Sequence, residues 1–268
     1  MSKPAAEHLD LPTVANLRDV GGLPAADGRT VRPGAVFRSA ALDKISDDDK
    51  RALAALGVRT VYDLRSAAET DASPDPRIDG MAGVHLDVLA DAKAIAAPAN
   101  LDKVLSDPET VVAANERLAD GGGIAALIDS YRELVNLPSA LSSYRSLYLG
   151  LLDEPGATLF HCTAGKDRTG WAAAAFLTVL GVGRDAVYHD YLLTNELFLP
   201  RIASVFDGFA AAGGDPDLLR PVLGVRPEYL DTAFAAVADR FGTIEGYFAN
   251  GLGFDDAAQQ ALRDKYLA

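Results

Sequence analysis

Cys162 is the only cysteine in the 268-residue chain, and it stands six positions before Arg168 in the stretch FHCTAGKDRTGW. Gly165 lies between the two, and Thr169 and Gly170 follow. Those residue types at that spacing suit a phosphate dianion. A tight loop in which Thr163, Ala164, Gly165, Lys166 and Asp167 present successive backbone N–H groups makes an anion-binding concavity, and a helix opening behind it adds the positive end of its dipole. Arg168 offers a planar fork that can hold two phosphate oxygens. The same field favours the thiolate of Cys162 over the thiol. A thiolate facing a cradled phosphoryl group is set for in-line attack, giving a phosphocysteine that water then hydrolyses. In that scheme Thr169 hydrogen-bonds the sulfur as it leaves, and His161 orients the loop from beneath.

A lone cysteine after a β-strand is more often a small buried hydrophobe. That alternative gives no reason for Lys166, Asp167 and Arg168 to follow on a glycine loop between an apolar strand and an apolar helix. An ATP-binding P-loop is a second comparison for AGKDRTG. It needs glycine five positions before the Gly-Lys pair and Ser or Thr straight after it, and Phe160 and Asp167 occupy those places.

These residues must sit at a strand-to-helix turn. ATLFHC (157–162) reads as a short buried strand, and WAAAAFLTVLG (171–181) as a helix closed by Gly181. Upstream, residues 1–15 read as a flexible lead, and NLRDVGG and DGRTVRPGAVFRSA as short strands and loops. Ser46 caps an acid-rich helix, SDDDKRALAALG, ahead of a buried strand in VRTVYDLRS. Strand, helix and strand in succession predict an α/β layer architecture with a central sheet. Between Ala72 and Gly123 the pattern degrades, predicting a strand in GVHLDVL among loops and short helices. Two helices follow over 124–152 with a break at Pro138. One or two amphipathic helices interrupted at Pro200 cover 184–211, another begins after Pro227, and DDAAQQALRDKYL forms the last.

With 49% hydrophobic and 24% charged residues the chain reads as one globular domain over 1–268. No apolar run approaches the ~20 residues of a membrane-spanning helix. The start, MSKPAAEHLDLP, lacks the apolar segment of a signal peptide, so cytoplasmic residence or secretion without such a signal is expected. A single cysteine excludes an internal disulfide. The net charge of −13 disfavours nucleic acids and anionic membranes as partners, so an anionic substrate must be drawn by a local positive field. His8, His85 and His189 are scattered without metal-ligand spacing, and neither metal nor cofactor is expected.

CTAGKDRTG matches the Cys-x5-Arg-Thr signature of the protein tyrosine phosphatase superfamily. In detail the chain resembles its atypical bacterial branch, that of the mycobacterial protein tyrosine phosphatase B-type enzymes. The resemblance runs through NLRDVGG, VRPGAVFRSAAL, LGVRTVYDLRS, the signature loop, DYLLTN and LGVRPEYL in order. It implies a mostly parallel sheet flanked by helices, a helical lid placed at about 184–225, a nucleophile at Cys162 and phosphate binding by Arg168. It also implies a broad substrate range of phosphotyrosine, phosphoserine or phosphothreonine, and phosphoinositides, with inorganic phosphate as product. Lys166 suits a substrate with several phosphates.

The departing oxygen needs a proton, usually from an aspartic acid. The common tyrosine phosphatases carry it in a Trp-Pro-Asp loop, and this sequence has no such tripeptide. Asp167 is the favoured donor, although its flanking cations favour the ionised form. Asp87 and Asp91 are the alternatives, placed where such acids often sit, and each reads equally as a solvated loop carboxylate. Arg18, Asp19, Arg38, Ser39, Asp63 and Arg65 follow apolar β segments, and the resemblance implies a buried network beneath the loop with Arg65 near the substrate. Two rivals remain: a phosphate-binding pseudoenzyme, for which a thiolate has no use, and an arsenate-reducing or sulfur-transfer enzyme, which needs further cysteines.

Overall fold

Short apolar strands alternate with helices along the chain, and the computed structural model, which describes residues 9–92 and 108–268, shows how they pair. Part of the expected lead, His8, and residues 93–107 of the weakly patterned region lie outside the described residues. The strands β1 (Arg18–Asp19), β2 (Val36–Ser39), β3 (Val58–Asp63), β4 (Ala82–His85) and β5 (Ala157–His161) form one sheet in the order β1-β2-β5-β3-β4. β1 runs antiparallel to β2, and the other pairs are parallel. This is the α/β class with a mostly parallel sheet that the sequence predicts. All five residues of β5 are buried, as a central strand covered on both faces requires.

Register decides where the site lies. Ser39 of β2 and Asp63 of β3 both pair with His161 at the end of β5, so three parallel strands finish at one level. Ligands of open α/β sheets bind beyond that carboxyl edge.

Among the described residues the α-helices of six or more residues are α1 (Asp47–Ala55), α2 (Ala67–Ala72), α3 (Pro108–Ala119), α4 (Gly122–Asn136), α5 (Pro138–Asp153), α6 (Arg168–Val179), α7 (Arg184–Leu197), α8 (Ala203–Ala211), α9 (Pro216–Leu223), α10 (Pro227–Phe241) and α11 (Asp256–Tyr266). Ser46 caps α1 through the Asp49 N–H, with Asp47, Asp48 and Asp49 in the first turn against the positive helix end. Pro138 opens α5 at its first turn, where its missing N–H costs nothing. Pro200 lies in a single 3₁₀ turn, Leu199–Ile202, that separates α7 from α8.

Two elements differ from expectation. α6 begins at Arg168 rather than Trp171, so Arg168 and Thr169 belong to its first turn. α3 is a 12-residue helix where loops and short helices were expected. Its apolar partners on α8 and α9 are about a hundred residues away, so the local pattern could not reveal them.

Three apolar clusters hold the layers. The largest wraps α6, whose Trp171, Phe176 and Leu177 are fully buried and whose alanines 172–175 let neighbouring helices approach. A second, with Leu17, Phe37, Leu53 and Leu159, covers the other sheet face. The third joins Val111 of α3, Phe209 of α8, and Leu219 and Leu223 of α9 into a satellite core. The segment expected to be a lid therefore divides: α7 buries Val187 and Tyr191 in the main core, whereas α8 and α9 pack with α3. In urea unfolding, Leu159→Ala should lower stability by about 2–5 kcal/mol. Val112→Ala on the exposed side of α3 should change it by no more than about 0.5 kcal/mol.

Candidate active site

β5 carries His161 and Cys162 to the carboxyl edge of the sheet, and α6 starts at Arg168, so residues 162–167 must turn within one short loop. Gly165 makes the turn possible: its φ is +66°, and a Cβ there would lie 2.2 Å from the Ser39 carbonyl oxygen. The loop carbonyls are held from outside. Asn16 Nδ2 donates to Ala164 O and Gly165 O at 3.0 Å each, Arg38 Nη2 donates to Gly165 O at 2.9 Å, and the Ala41 N–H donates to Thr163 O. No backbone acceptor among the described residues takes the N–H groups of Thr163 to Asp167. Outward carbonyls and unpaired amides on a helix N-terminus are the elements of an anion cradle.

Beneath the loop lies a buried charge cluster. Asp190 of α7 accepts from Arg18 Nε at 2.8 Å and from Arg38 Nη1 at 2.6 Å, and all three side chains are buried. Burial alone would raise the Asp190 carboxyl, but the two guanidinium groups hold it below its ordinary range. Burial and the nearby Arg38 lower Arg18 to about 10, against the opposing pull of Asp190. Two cations share one anion, which leaves excess positive charge under the loop.

Arg168 is gripped by Glu69, whose carboxylate takes Nη1 at 2.5 Å and Nη2 at 2.7 Å. Burial works against both charges, yet Glu69 and the neighbouring Cys162 and Asp167 raise Arg168 above its ordinary value. Glu69 falls from 4.5 to about 2: burial pushes it up, while Arg168, Thr163 Oγ1 and the Ser66 N–H outweigh that. The same Glu69 closes the capping box of α2 on Ser66, so one side chain starts a helix and aims the arginine. Thr169 is fully buried, and its hydroxyl has no partner among the described residues. Cys162 is buried as well.

Arg65, expected in a buried network with the substrate nearby, joins a network below the sheet edge, with Asp63 at 2.7 Å and Asp75 at 2.9 Å. His161 Nε2 lies 2.8 Å from Asp75 without hydrogen-bond alignment, and Nδ1 contacts the Cys162 carbonyl. Asp63, Asp75 and His161 come close enough to ligate a metal. The Arg65 guanidinium already meets both carboxylates, so these residues fit an organic cation better than a metal.

Asp167 stands at the N-cap of α6 without capping it. Its Oδ1 accepts from the buried Tyr131 hydroxyl at 2.9 Å, and its Oδ2 lies 3.2 Å from Lys166 Nζ. Lys166 reaches the end of α9, donating to Val222 O at 2.6 Å and Gly224 O at 3.2 Å. Asp87 and Asp91 sit at other helix starts. Asp87 accepts from the Ala67 N–H of α2, and Asp91 from the Ser139 N–H and hydroxyl of α5. Both carboxylates thus take N–H groups at helix starts. The sequence reading missed Asn16, Glu69, Tyr131 and Asp190. Only Glu69 carried a local signal, the Ser66-x-x-Glu69 box, and that spoke for a helix start alone.

A profile of the tyrosine phosphatase family matches residues 9–268, nearly the whole chain. The chain belongs to this family. A Cupriavidus necator protein with the provisional name tyrosine-protein phosphatase is 31% identical over 97% of this chain and 88% of its own length. The triple specificity protein phosphatase PtpB of Mycobacterium tuberculosis is 29% identical over 95% of this chain and 97% of its own. Among solved structures, P. aeruginosa TpbA aligns with 83% of this chain and 98% of its own at 18% identity and a TM-score of 0.37, too loose a likeness to bear on function. The protein is thus a tyrosine phosphatase family enzyme, and no helix among the described residues is long and apolar enough to cross a membrane.

A carboxyl group depressed in the folded state contributes stability above its unfolded value and loses it as pH falls towards its folded value. For Glu69 that window runs from 4.5 to about 2. Glu69→Gln should lower stability at neutral pH and flatten the acid decline across this window, measured by urea unfolding at successive pH values.

Proposed function

We propose that the chain hydrolyses phosphotyrosine through a phosphocysteine at Cys162, without a cofactor. The observation that carries this reading is the loop from Cys162 to Arg168, with its carbonyls bound outward and its amides unpaired. The phosphoryl group sits on the amides of Thr163 to Asp167 and on Arg168, which Glu69 keeps in orientation. The sulfur attacks in line: the S–P bond forms, the P–O bond to the tyrosine oxygen breaks, and Asp167 supplies that oxygen with a proton. Asp167, now ionised, takes a proton from water as the water attacks phosphorus. The S–P bond breaks, the Thr169 hydroxyl hydrogen-bonds the departing thiolate, and inorganic phosphate leaves.

Helices α8 and α9 act as a lid in this reading, roughly within the 184–225 segment. Lys166 supports it, because its ammonium ties the signature loop to the last carbonyls of α9. Lys166 also favours a second reading, a broader range that includes phosphoserine, phosphothreonine and phosphoinositide substrates. Released from α9, it adds a cation beside the cradle for a second phosphate. The name of the relative PtpB, a triple specificity phosphatase, agrees with such breadth.

A phosphate-release panel over phosphotyrosine, phosphoserine and phosphothreonine peptides and phosphoinositides tests the substrate. Cys162→Ser should abolish release on all of them while retaining binding of a phosphate analogue. Binding without turnover by the native chain would instead mark a pseudophosphatase. Asp167→Asn should lower turnover on aryl phosphates by about 10²-fold or more and leave vanadate affinity largely intact. An unchanged rate there, with loss in Asp87→Ala or Asp91→Ala, would reassign the proton donor.

A further inference from the structure

We infer that Tyr131, backed by Tyr191, is the positioning residue that holds Asp167 for proton transfer and makes Oδ2 the oxygen that delivers the proton. The inference rests on the reading of Asp167 as the donor. An aspartate at a helix N-cap ordinarily turns its carboxylate back onto the free N–H groups of the first turn. Asp167 occupies that position on α6 and makes no such bond. Its Oδ1 is drawn to the Tyr131 hydroxyl at 2.9 Å, while Oδ2 lies 3.2 Å from Lys166 Nζ in a side chain that remains 23% exposed.

Tyr131 is well fixed for this purpose. Its ring is fully buried, tilted against Tyr229 at 5.8 Å and meeting Tyr191 edge-on at 6.4 Å. The Tyr131 and Tyr191 hydroxyls lie 2.6 Å apart. A phenol has one proton to give. Since Tyr131 donates to Asp167, the proton between the two phenols comes from Tyr191, and the chain runs from Tyr191 to Tyr131 to Asp167. Burial, followed by the adjacent Asp167 charge, pushes both phenols well above their ordinary value, so both remain protonated donors.

The arrangement works in both halves of the reaction. With Asp167 protonated on Oδ2, Oδ1 is a carbonyl oxygen and still accepts from Tyr131. After Oδ2 loses its proton to the leaving oxygen, Oδ1 keeps the same bond to a carboxylate. The group therefore changes charge without turning, and Oδ2 faces the same way when water must be deprotonated. A carboxylate free to rotate would lose that alignment, and proton transfer depends on it.

The test is the dependence of kcat/KM on the leaving group, measured with aryl phosphates from para-nitrophenyl to phenyl phosphate. Wild type, Tyr131→Phe, Asp167→Asn and the double variant are compared. Tyr131→Phe should lose about tenfold more on phenyl than on para-nitrophenyl phosphate, because the poorer leaving group needs the proton more. In the Asp167→Asn background it should add little. Tyr191→Phe, which leaves the direct bond to Asp167, should shift the ratio in the same sense by a smaller factor. An equal loss on all substrates, or an effect that adds in full to Asp167→Asn, overturns the positioning role while Asp167 stands. If Asp167→Asn itself leaves the leaving-group dependence unchanged, the reading of Asp167 fails, and the role of Tyr131 falls with it.

Discussion

The ion cluster of Arg18, Arg38 and Asp190 is the constraint from which the rest of the site follows. Asp190 is on α7, Arg18 on β1 and Arg38 on β2, and Arg38 continues to the Gly165 carbonyl. Asn16, which accepts from Arg18, takes the Ala164 and Gly165 carbonyls together. A single carboxylate thus fixes two strands, a helix and the outer face of the signature loop. Burying three charges is costly, and two guanidinium groups against one carboxylate do not neutralise each other. The excess positive charge lies directly beneath the loop that the proposed mechanism requires to attract a phosphate dianion. In a chain with net charge −13 such a field has to be local, since beyond about one Debye length the acidic surface dominates.

Around that fixed loop, the two unusual residues are directed outward by helices rather than inward to the cradle. Lys166 is bound by carbonyls at the negative end of α9, a favourable place for a cation. Asp167 is bound by Tyr131 of α4. The inner surface is left to backbone amides and to Arg168, whose plane is set by Glu69. In the proposed mechanism, phosphate binding and the nucleophile therefore belong to the sheet edge, while the proton donor and the lid belong to the surrounding helices. The satellite core of α3, α8 and α9 is linked to the loop by one ammonium group, which leaves it able to move without disturbing the cradle.

Much of this was legible in the sequence. The central strand, the loop glycine, the cap of α1 and the cysteine-to-arginine spacing are all local in sequence, and local patterns report them well. Ser46 stands three residues before the N–H it caps, and Gly165 is needed whatever surrounds it. What could not be read shares one property, that the partners are far apart in the chain. Asp190 meets Arg18 across 172 residues, and Arg168 meets Glu69 across 99. α3 looked poorly specified because its apolar face is complementary to helices near residue 210. Arg65 shows the reverse: the resemblance implied a buried network with Arg65 near the substrate, and the partners that hold the guanidinium, Asp63 two residues before it and Asp75 ten residues after it, are local in sequence.

Asp167 departs from ordinary capping, and in that it differs from the other two aspartates considered as proton donors. Asp87 and Asp91 have the same chemistry, and each ends on N–H groups of a helix start, where a carboxylate lowers its own energy and that of the helix. Asp167 is at the start of the most buried helix among the described residues, and it does not cap. In the proposed mechanism the amides of that first turn are left for the substrate phosphate, a stronger anion than the carboxylate. Its carboxylate is held aside by a phenol from another helix, close enough to serve the reaction and unable to fill the cradle itself.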